Sequence, residues 1–112
     1  MKRTDGITYD DGRIVCDKNG LTIRHYYLWG AKRIPYTAIK QVTHLPLTGA
    51  NAVRRWRIWG SGDFIHWWNL DPHRPHKRMA LVIDTGRLVR PTITPDNPDT
   101  VEQILTTQII SR

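Results

Sequence analysis

The chain has 112 residues, a formal net charge of +7 and a hydrophobic fraction of 39%. This length predicts a single domain over residues 1–112 that buries about two-thirds of its unfolded surface, which excludes a second domain and a deep enclosed active site. The single cysteine, Cys16, excludes an internal disulfide and a zinc site built on a cysteine pair. Its place in a strand-like run predicts a small buried thiol.

The sequence also sets expectations about location and partners. No run approaches the ~18 apolar residues that cross a bilayer, and no apolar signal segment follows Met1. We therefore expect a cytoplasmic protein whose contact with any membrane is peripheral. The positive charge predicts attraction to phospholipid surfaces, nucleic acid or acidic proteins. Because the basic residues are spread along the chain, solubility alone is an alternative explanation.

The N-terminal third predicts short strands joined by tight turns. Residues 1–12 form a polar arm, in which residues 7–9 can pair at a sheet edge. Residues 13–17 and 21–29 are expected to form a hairpin, because an Asn-Gly turn such as Asn19-Gly20 accepts positive φ at both positions.

The next stretch contains one ambiguous pair of residues and one signal that ends a strand. Tyr26 and Tyr27 are adjacent, so alternation leaves open which of them faces the core. Pro35 places residues 32–34 at an edge or a strand end, because proline cannot donate to a ladder. One helical turn over residues 36–39 and a strand over residues 40–45 are expected to follow.

The second half predicts four more strands with one irregular segment. Two prolines in residues 71–76 predict neither ladder nor helix there. In the strand at residues 77–85, Met79, Leu81 and Ile83 are expected on the core face. The remaining strands are predicted at residues 53–60, 64–70 and 87–94, with a glycine turn at residues 60–63.

The last segment changes to helical spacing and predicts a capping helix over residues 97–110. Asn97 is a candidate N-cap with Pro98 at the first helical position. The apolar positions with helical spacing are Val101, Ile104, Leu105 and Ile109. The predicted fold is therefore mainly β: a barrel or sandwich of about seven antiparallel strands closed by one C-terminal α-helix.

Three stretches in this layout resemble the bacterial PH-like (pleckstrin-homology-like) domain family. They are GLTIR at residues 20–24 with Tyr26-Tyr27, then GAKRIPYTAIKQV at residues 30–42, and GRLVRP at residues 86–91 leading into TPDNP at residues 94–98. Their order and spacing cover most of residues 13–110.

The resemblance implies a fold and a non-catalytic binding or assembly role, and some such domains form homo-oligomers. It implies no catalytic residue and no cofactor. The phosphoinositide site of eukaryotic PH domains uses a long basic loop between the first two strands. Here the corresponding turn is only Lys18-Asn19-Gly20, so that site is not carried over.

Residues 54–78 are the densest in aromatic and basic side chains, with four of the five tryptophans. In one interpretation these side chains only build the domain, with Trp56, Ile58 and Trp68 in the core and arginines over the other indoles. In a second, the outward side chains bind an anionic membrane lipid or a nucleic acid, with phosphates on arginine and bases stacked on tryptophan.

Two further interpretations of the same stretch stay open. A protein interface, including self-association, would explain exposed tryptophan and arginine. A metal site on His66, His73, His76 and Asp71 matches no standard spacing. The residues predicted to bind a ligand or partner, without catalytic or metal roles, are Arg55, Arg57, Trp59, Trp67, His73, Arg74, Lys77 and Arg78.

Overall fold

The computed structural model describes residues 6–27, 30–48, 66–69, 71 and 73–110. They form two four-stranded β-sheets and one α-helix. The mainly β class and the C-terminal helix are thereby confirmed. In the first sheet the strands lie in chain order and pair antiparallel. They are β1 (Tyr9–Asp10), β2 (Ile14–Cys16), β3 (Gly20–Tyr27) and β4 (Gly30–Pro35).

The second sheet contains β5 (Gln41–Pro46), β6 (His66–Trp68), β7 (Met79–Asp84) and β8 (Arg90–Ile93), in the order β5-β7-β8-β6. The expectation of an all-antiparallel fold is wrong at one pair, because β6 runs parallel to β8. β8 lies between β6 and β7, so these two strands are not hairpin neighbours. Within the described residues the two sheets are separate and do not close into a barrel, which is compatible with a sandwich.

The turn between β2 and β3 lies where it was predicted but has a different mechanism. Asp17 Oδ1 accepts hydrogen bonds from the backbone N–H groups of Asn19 (2.8 Å) and Gly20 (2.9 Å). Neither Asn19 nor Gly20 has a positive φ. Gly20 is required for another reason: a Cβ there would lie 2.7 Å from the carbonyl oxygen of Ile34 on β4.

An irregularity in β3 decides which of its tyrosines is buried. His25 has φ 57°, and the register between β3 and β4 shifts between Ile23 and Tyr27. The shift breaks strict alternation, so that His25 is exposed and Tyr26 enters the core, while Tyr27 is half-buried. Such a bulge changes the direction of the side chains that follow it. The sequence pattern alone does not decide which of the two tyrosines then faces the core.

The two sheets and the helix share one hydrophobic core. It includes Ile14, Leu21 and Ile23 from the first sheet and Leu81 and Ile83 from the second. Cys16 is also buried in it, as predicted, and its burial raises the pKa of the thiol to about 12.

A second, smaller cluster also involves β7. Trp68 packs there with Leu47 and Ala80, so the prediction that Trp68 is buried is confirmed. Since Ala80 and Val82 are buried as well as Leu81 and Ile83, β7 is covered on both faces. The prediction that β7 has one core face and one exposed face is therefore wrong, because both faces are buried.

Three local predictions can be compared with the elements that follow the strands. The helical turn is a 3-10 turn at Tyr36–Ala38, and Pro35 ends the edge strand β4, as expected. The two-proline segment, predicted to be irregular, includes a 3-10 turn at Arg74–His76, with a proline at its second position. The predicted strand at residues 87–94 begins only at residue 90, because residues 85–89 form a loop around Gly86, which has φ 85°.

Helix α1 (Pro98–Ile110) agrees with its prediction. Asn97 accepts a hydrogen bond from the Thr100 backbone N–H through Oδ1 at 3.2 Å, which is an N-cap contact. Val101 and Leu105 are buried in the main core. Helix α1 packs against β5, β7 and the first 3-10 turn. Helix α1 therefore packs on the second sheet.

Candidate functional site: a cationic aromatic groove

Three of the eight predicted binding residues lie outside the described part of the chain: Arg55, Arg57 and Trp59. The same holds for Trp56 and Ile58, which were expected in the core. Their roles stay predictions.

The structure does not place the other five predicted residues on one surface. His73 and Arg78 are exposed, and Lys77 is half-buried. Arg74 is fully buried, with 0% exposure, so its expected place on the rim of a surface site is wrong. Trp67 is half-buried and belongs to a different region, between the two sheets.

Arg74 is buried because the fold supplies acceptors for its guanidinium. Nη2 donates to the backbone carbonyl (2.8 Å) and to Oδ1 (2.9 Å) of Asn69, and Nε donates to Thr94 Oγ1 (3.1 Å). The guanidinium carbon lies 5.0 Å from the centre of the Trp68 ring. Burial lowers the pKa of Arg74 to about 10, which leaves it cationic at neutral pH.

Asp71, only 1% exposed, is the counter-charge in this buried cluster. Its Oδ2 accepts hydrogen bonds from Lys77 Nζ (2.8 Å) and Thr94 Oγ1 (2.7 Å). Burial acts to raise the pKa of Asp71, but these hydrogen bonds and the Lys77 charge together lower it below its ordinary value. Lys77 also donates to the Thr94 carbonyl (2.6 Å) and lies 3.0 Å from Asp96 Oδ1. Lys77 and Arg74 are therefore committed to internal partners, and this end of the predicted site is structural.

Trp67 connects the two sheets and forms part of an open groove. Its indole Nε1 donates to the carbonyl of Tyr26 at 2.9 Å, and the two ring centres are 5.9 Å apart. Ile34 and Pro35 of β4 and the loop of residues 85–89 line the same groove, which has a volume of about 700 Å³. This volume lies within the roughly 300–1,000 Å³ of small-molecule sites. We call it the aromatic groove.

Among the residues that the structure describes, the charged side chains lining the aromatic groove are all cationic: Lys32, Arg33 and Arg87. The Lys32 ammonium lies 5.4 Å from the centre of the Tyr26 ring, a cation–π distance. Arg33 is neutralised by Asp17, with hydrogen bonds of 2.7 and 3.0 Å, and this pairing lowers the pKa of Asp17 to about 2. Within the described residues, no carboxylate forms an ion pair with Lys32 or Arg87.

The loop of residues 85–89 presents apolar side chains to solvent at the mouth of this groove. Leu88 is 77% exposed and Val89 is 41% exposed. Arg87 and Arg90, both exposed, flank them, and Arg90 Nη2 lies 3.8 Å from Asp84 Oδ2. Sequence reasoning missed this loop because the segment was assigned to a strand. The available signal was the pattern Arg-Leu-Val-Arg, in which two adjacent apolar residues do not alternate as a half-buried strand requires.

The part of the chain that the structure describes lacks two features. No group of three or more His, Cys, Asp or Glu side chains there is placed to hold a metal ion. No helix there has the length and apolar character needed to cross a bilayer.

No family model, curated protein or solved structure matches the chain significantly.

Proposed function

We propose that the chain is a non-catalytic, PH-like binding module that engages an anionic membrane surface through the loop of residues 85–89. One observation carries the proposal: Leu88 and Val89 are exposed between Arg87 and Arg90. Exposed apolar side chains rimmed by charge mark membrane or protein interaction sites.

The pattern matches the physical requirements of a membrane surface. Moving the leucine and valine side chains from water into the boundary of the acyl chains lowers the free energy, while the arginines stay beside lipid phosphates. Each basic residue near an anionic leaflet contributes roughly 1 kcal/mol. The net charge of +7 extends the same attraction over the molecule. The PH-like assignment is supported by the order of the elements, a pair of antiparallel-rich sheets followed by one C-terminal helix.

Sedimentation with vesicles tests this proposal. We expect the protein to bind vesicles that contain phosphatidylserine, to bind neutral phosphatidylcholine vesicles weakly, and to dissociate as salt is raised. Leu88→Ser should weaken binding about tenfold, because burying a leucine side chain is worth roughly 1.5–3 kcal/mol. Ile110→Ser is the matched control, since Ile110 is also 77% exposed but lies at the end of α1.

Several results would contradict the proposal. Equal binding to neutral and anionic vesicles would exclude recognition of anionic lipid, and equal effects of the two serine variants would exclude this loop. Binding to a single-stranded oligonucleotide with a log–log salt slope near −0.7 per phosphate would instead identify a nucleic-acid-binding protein. Association that grows with protein concentration, without vesicle binding, would identify a protein interface.

A further inference from the structure

We infer that the aromatic groove binds a single-chain amphiphile with an anionic head group. This ligand differs from the membrane surface of the proposed function, because it would occupy the groove as a monomer in solution. Apolar walls and cationic side chains line the same groove.

The walls favour a hydrocarbon chain. Tyr26, Ile34, Trp67 and Leu88 contribute aromatic and branched apolar surface to a groove of about 700 Å³. Trp67 is held by its hydrogen bond to the Tyr26 carbonyl, so this part of the wall is formed before a ligand arrives. A preformed apolar surface costs less conformational entropy on binding than one that must be assembled.

The charges favour an anionic head group. No aspartate or glutamate lines the groove among the described residues, whereas Lys32 and Arg87 do. Arg33 is compensated by Asp17, and so it contributes less. An anion placed near Lys32 and Arg87 would gain charge-assisted hydrogen bonds, which are stronger than those between neutral groups.

A ligand that uses both features must be amphiphilic. A small inorganic anion would leave Ile34, Trp67 and Leu88 in contact with water. A neutral apolar molecule would displace water from Lys32 and Arg87 without supplying a partner, which is unfavourable. A chain with a carboxylate or phosphate at one end satisfies both parts of the groove.

Calorimetric titration below the micelle concentration, without vesicles, tests this inference with three soluble probes. Decanoate carries a chain and an anion, acetate carries the anion alone, and decyltrimethylammonium carries a matched chain with a cation. We expect decanoate to bind saturably with one molecule per chain, and the other two to bind at least tenfold more weakly. In methyl NMR spectra, decanoate should shift the signals of Ile34, Leu88 and Val89. Titration with decyl phosphate then distinguishes a phosphate head group from a carboxylate. If decyl phosphate binds more tightly than decanoate, the groove favours a phosphate.

Charge-matched variants locate the site. Lys32→Gln combined with Arg87→Gln should weaken decanoate binding about tenfold or more. Lys18→Gln combined with Arg24→Gln changes the net charge equally, but both residues are exposed and outside the groove. Equal weakening in both pairs, shifts confined to other methyl groups, or titration without saturation would overturn the inference. If the protein binds vesicles but not decanoate, this inference is wrong and the proposed function is unaffected. If it binds decanoate but not vesicles, only the proposed function is wrong.

Discussion

Arg74 lies in a polar cluster that folding removes from solvent, although its sequence neighbours suggested an exposed basic loop. Its guanidinium donates hydrogen bonds to Asn69 and to Thr94. An arginine buried in this way no longer attracts a ligand. Its role is to hold the 3-10 turn at Arg74–His76 against β6 and the segment after β8.

We predict that Arg74→Met lowers the free energy of unfolding by about 3 kcal/mol or more. Methionine fills much of the space but leaves buried acceptors of Asn69 and Thr94 without a donor, and removing one member of a buried polar cluster is costly. Urea unfolding measures the change. The control is His76→Ala, in the same turn but exposed, for which we expect a change within about 0.5 kcal/mol. Equal midpoints for the two variants would contradict a structural role for Arg74.

Helix α1 is the element in which local sequence signals and tertiary contacts agree most closely. The backbone N–H of Asn97 donates to the hydroxyl of Tyr9 at 3.0 Å, and the backbone N–H of Asp96 donates to Asp11 Oδ2 at 2.8 Å. Tyr9 in turn donates to Asp11 Oδ2 at 2.6 Å. The start of the helix is thereby fixed to the β1 strand, more than 80 residues away in sequence.

We predict that Asn97→Ala destabilises the domain by about 1 kcal/mol, because the Thr100 N–H loses its side-chain acceptor. Asn97→Ser is the matched comparison and should retain most of the stability, since serine is also a favourable N-cap. Thermal unfolding of the three proteins measures the difference. If alanine and serine have the same effect, the Asn97 side chain does not cap α1.

In the loop between β7 and β8, the local sequence signal and the tertiary structure disagree. Its sequence is compatible with an extended strand, and the tertiary fold instead makes it a loop that carries Leu88 into solvent. β8 pairs with β7 only at residues 92 and 93, opposite Val82 and Leu81. Exposed apolar side chains flanked by arginines therefore lie in this connection.

At the scale of the whole molecule, paired or hydrogen-bonded carboxylates connect distant parts of the fold. Asp11 connects β1 to the start of α1, Asp17 pairs with Arg33 across the first sheet, and Asp71 lies in the buried cluster. For Asp17, the Arg33 hydrogen bond is the main cause that lowers the pKa. For Asp11 and Asp71, burial opposes the shift, but hydrogen bonds outweigh it and the pKa is lowered from the ordinary 3.8.

These shifts predict acid destabilisation. Since the folded pKa values are depressed, the unfolded chain binds more protons as pH falls below about 5, and the contribution to stability is lost progressively down to about pH 2. Urea unfolding at pH 7, 5, 4 and 3 should therefore give decreasing free energies of unfolding. Asp71→Asn should make that dependence shallower, because the variant has one fewer depressed carboxyl group. A wild-type stability that is constant or rises below pH 5 would contradict the assignment.

Local sequence patterns predict several of these elements. Alternation, proline and glycine positions and helical spacing predict the mainly β class, the edge position of β4, the first 3-10 turn and α1 with its Asn97 cap. These features depend on interactions within a few residues, which a local pattern records. By contrast, the tyrosine that enters the core at the end of β3 depends on a bulge at His25, and the parallel pairing of β6 depends on which strand lies between it and β7.

The sequence by itself determined which chemical groups the chain contains: many cations, five tryptophans and a single thiol. Only the tertiary structure decided which of those cations face solvent. Arg74 and Lys77 find internal acceptors, whereas Lys32 and Arg87, far apart in sequence, line one groove beside Trp67. The physical reason is that burial of a charge depends on partners from distant segments, and no spacing along the chain records where those partners will meet.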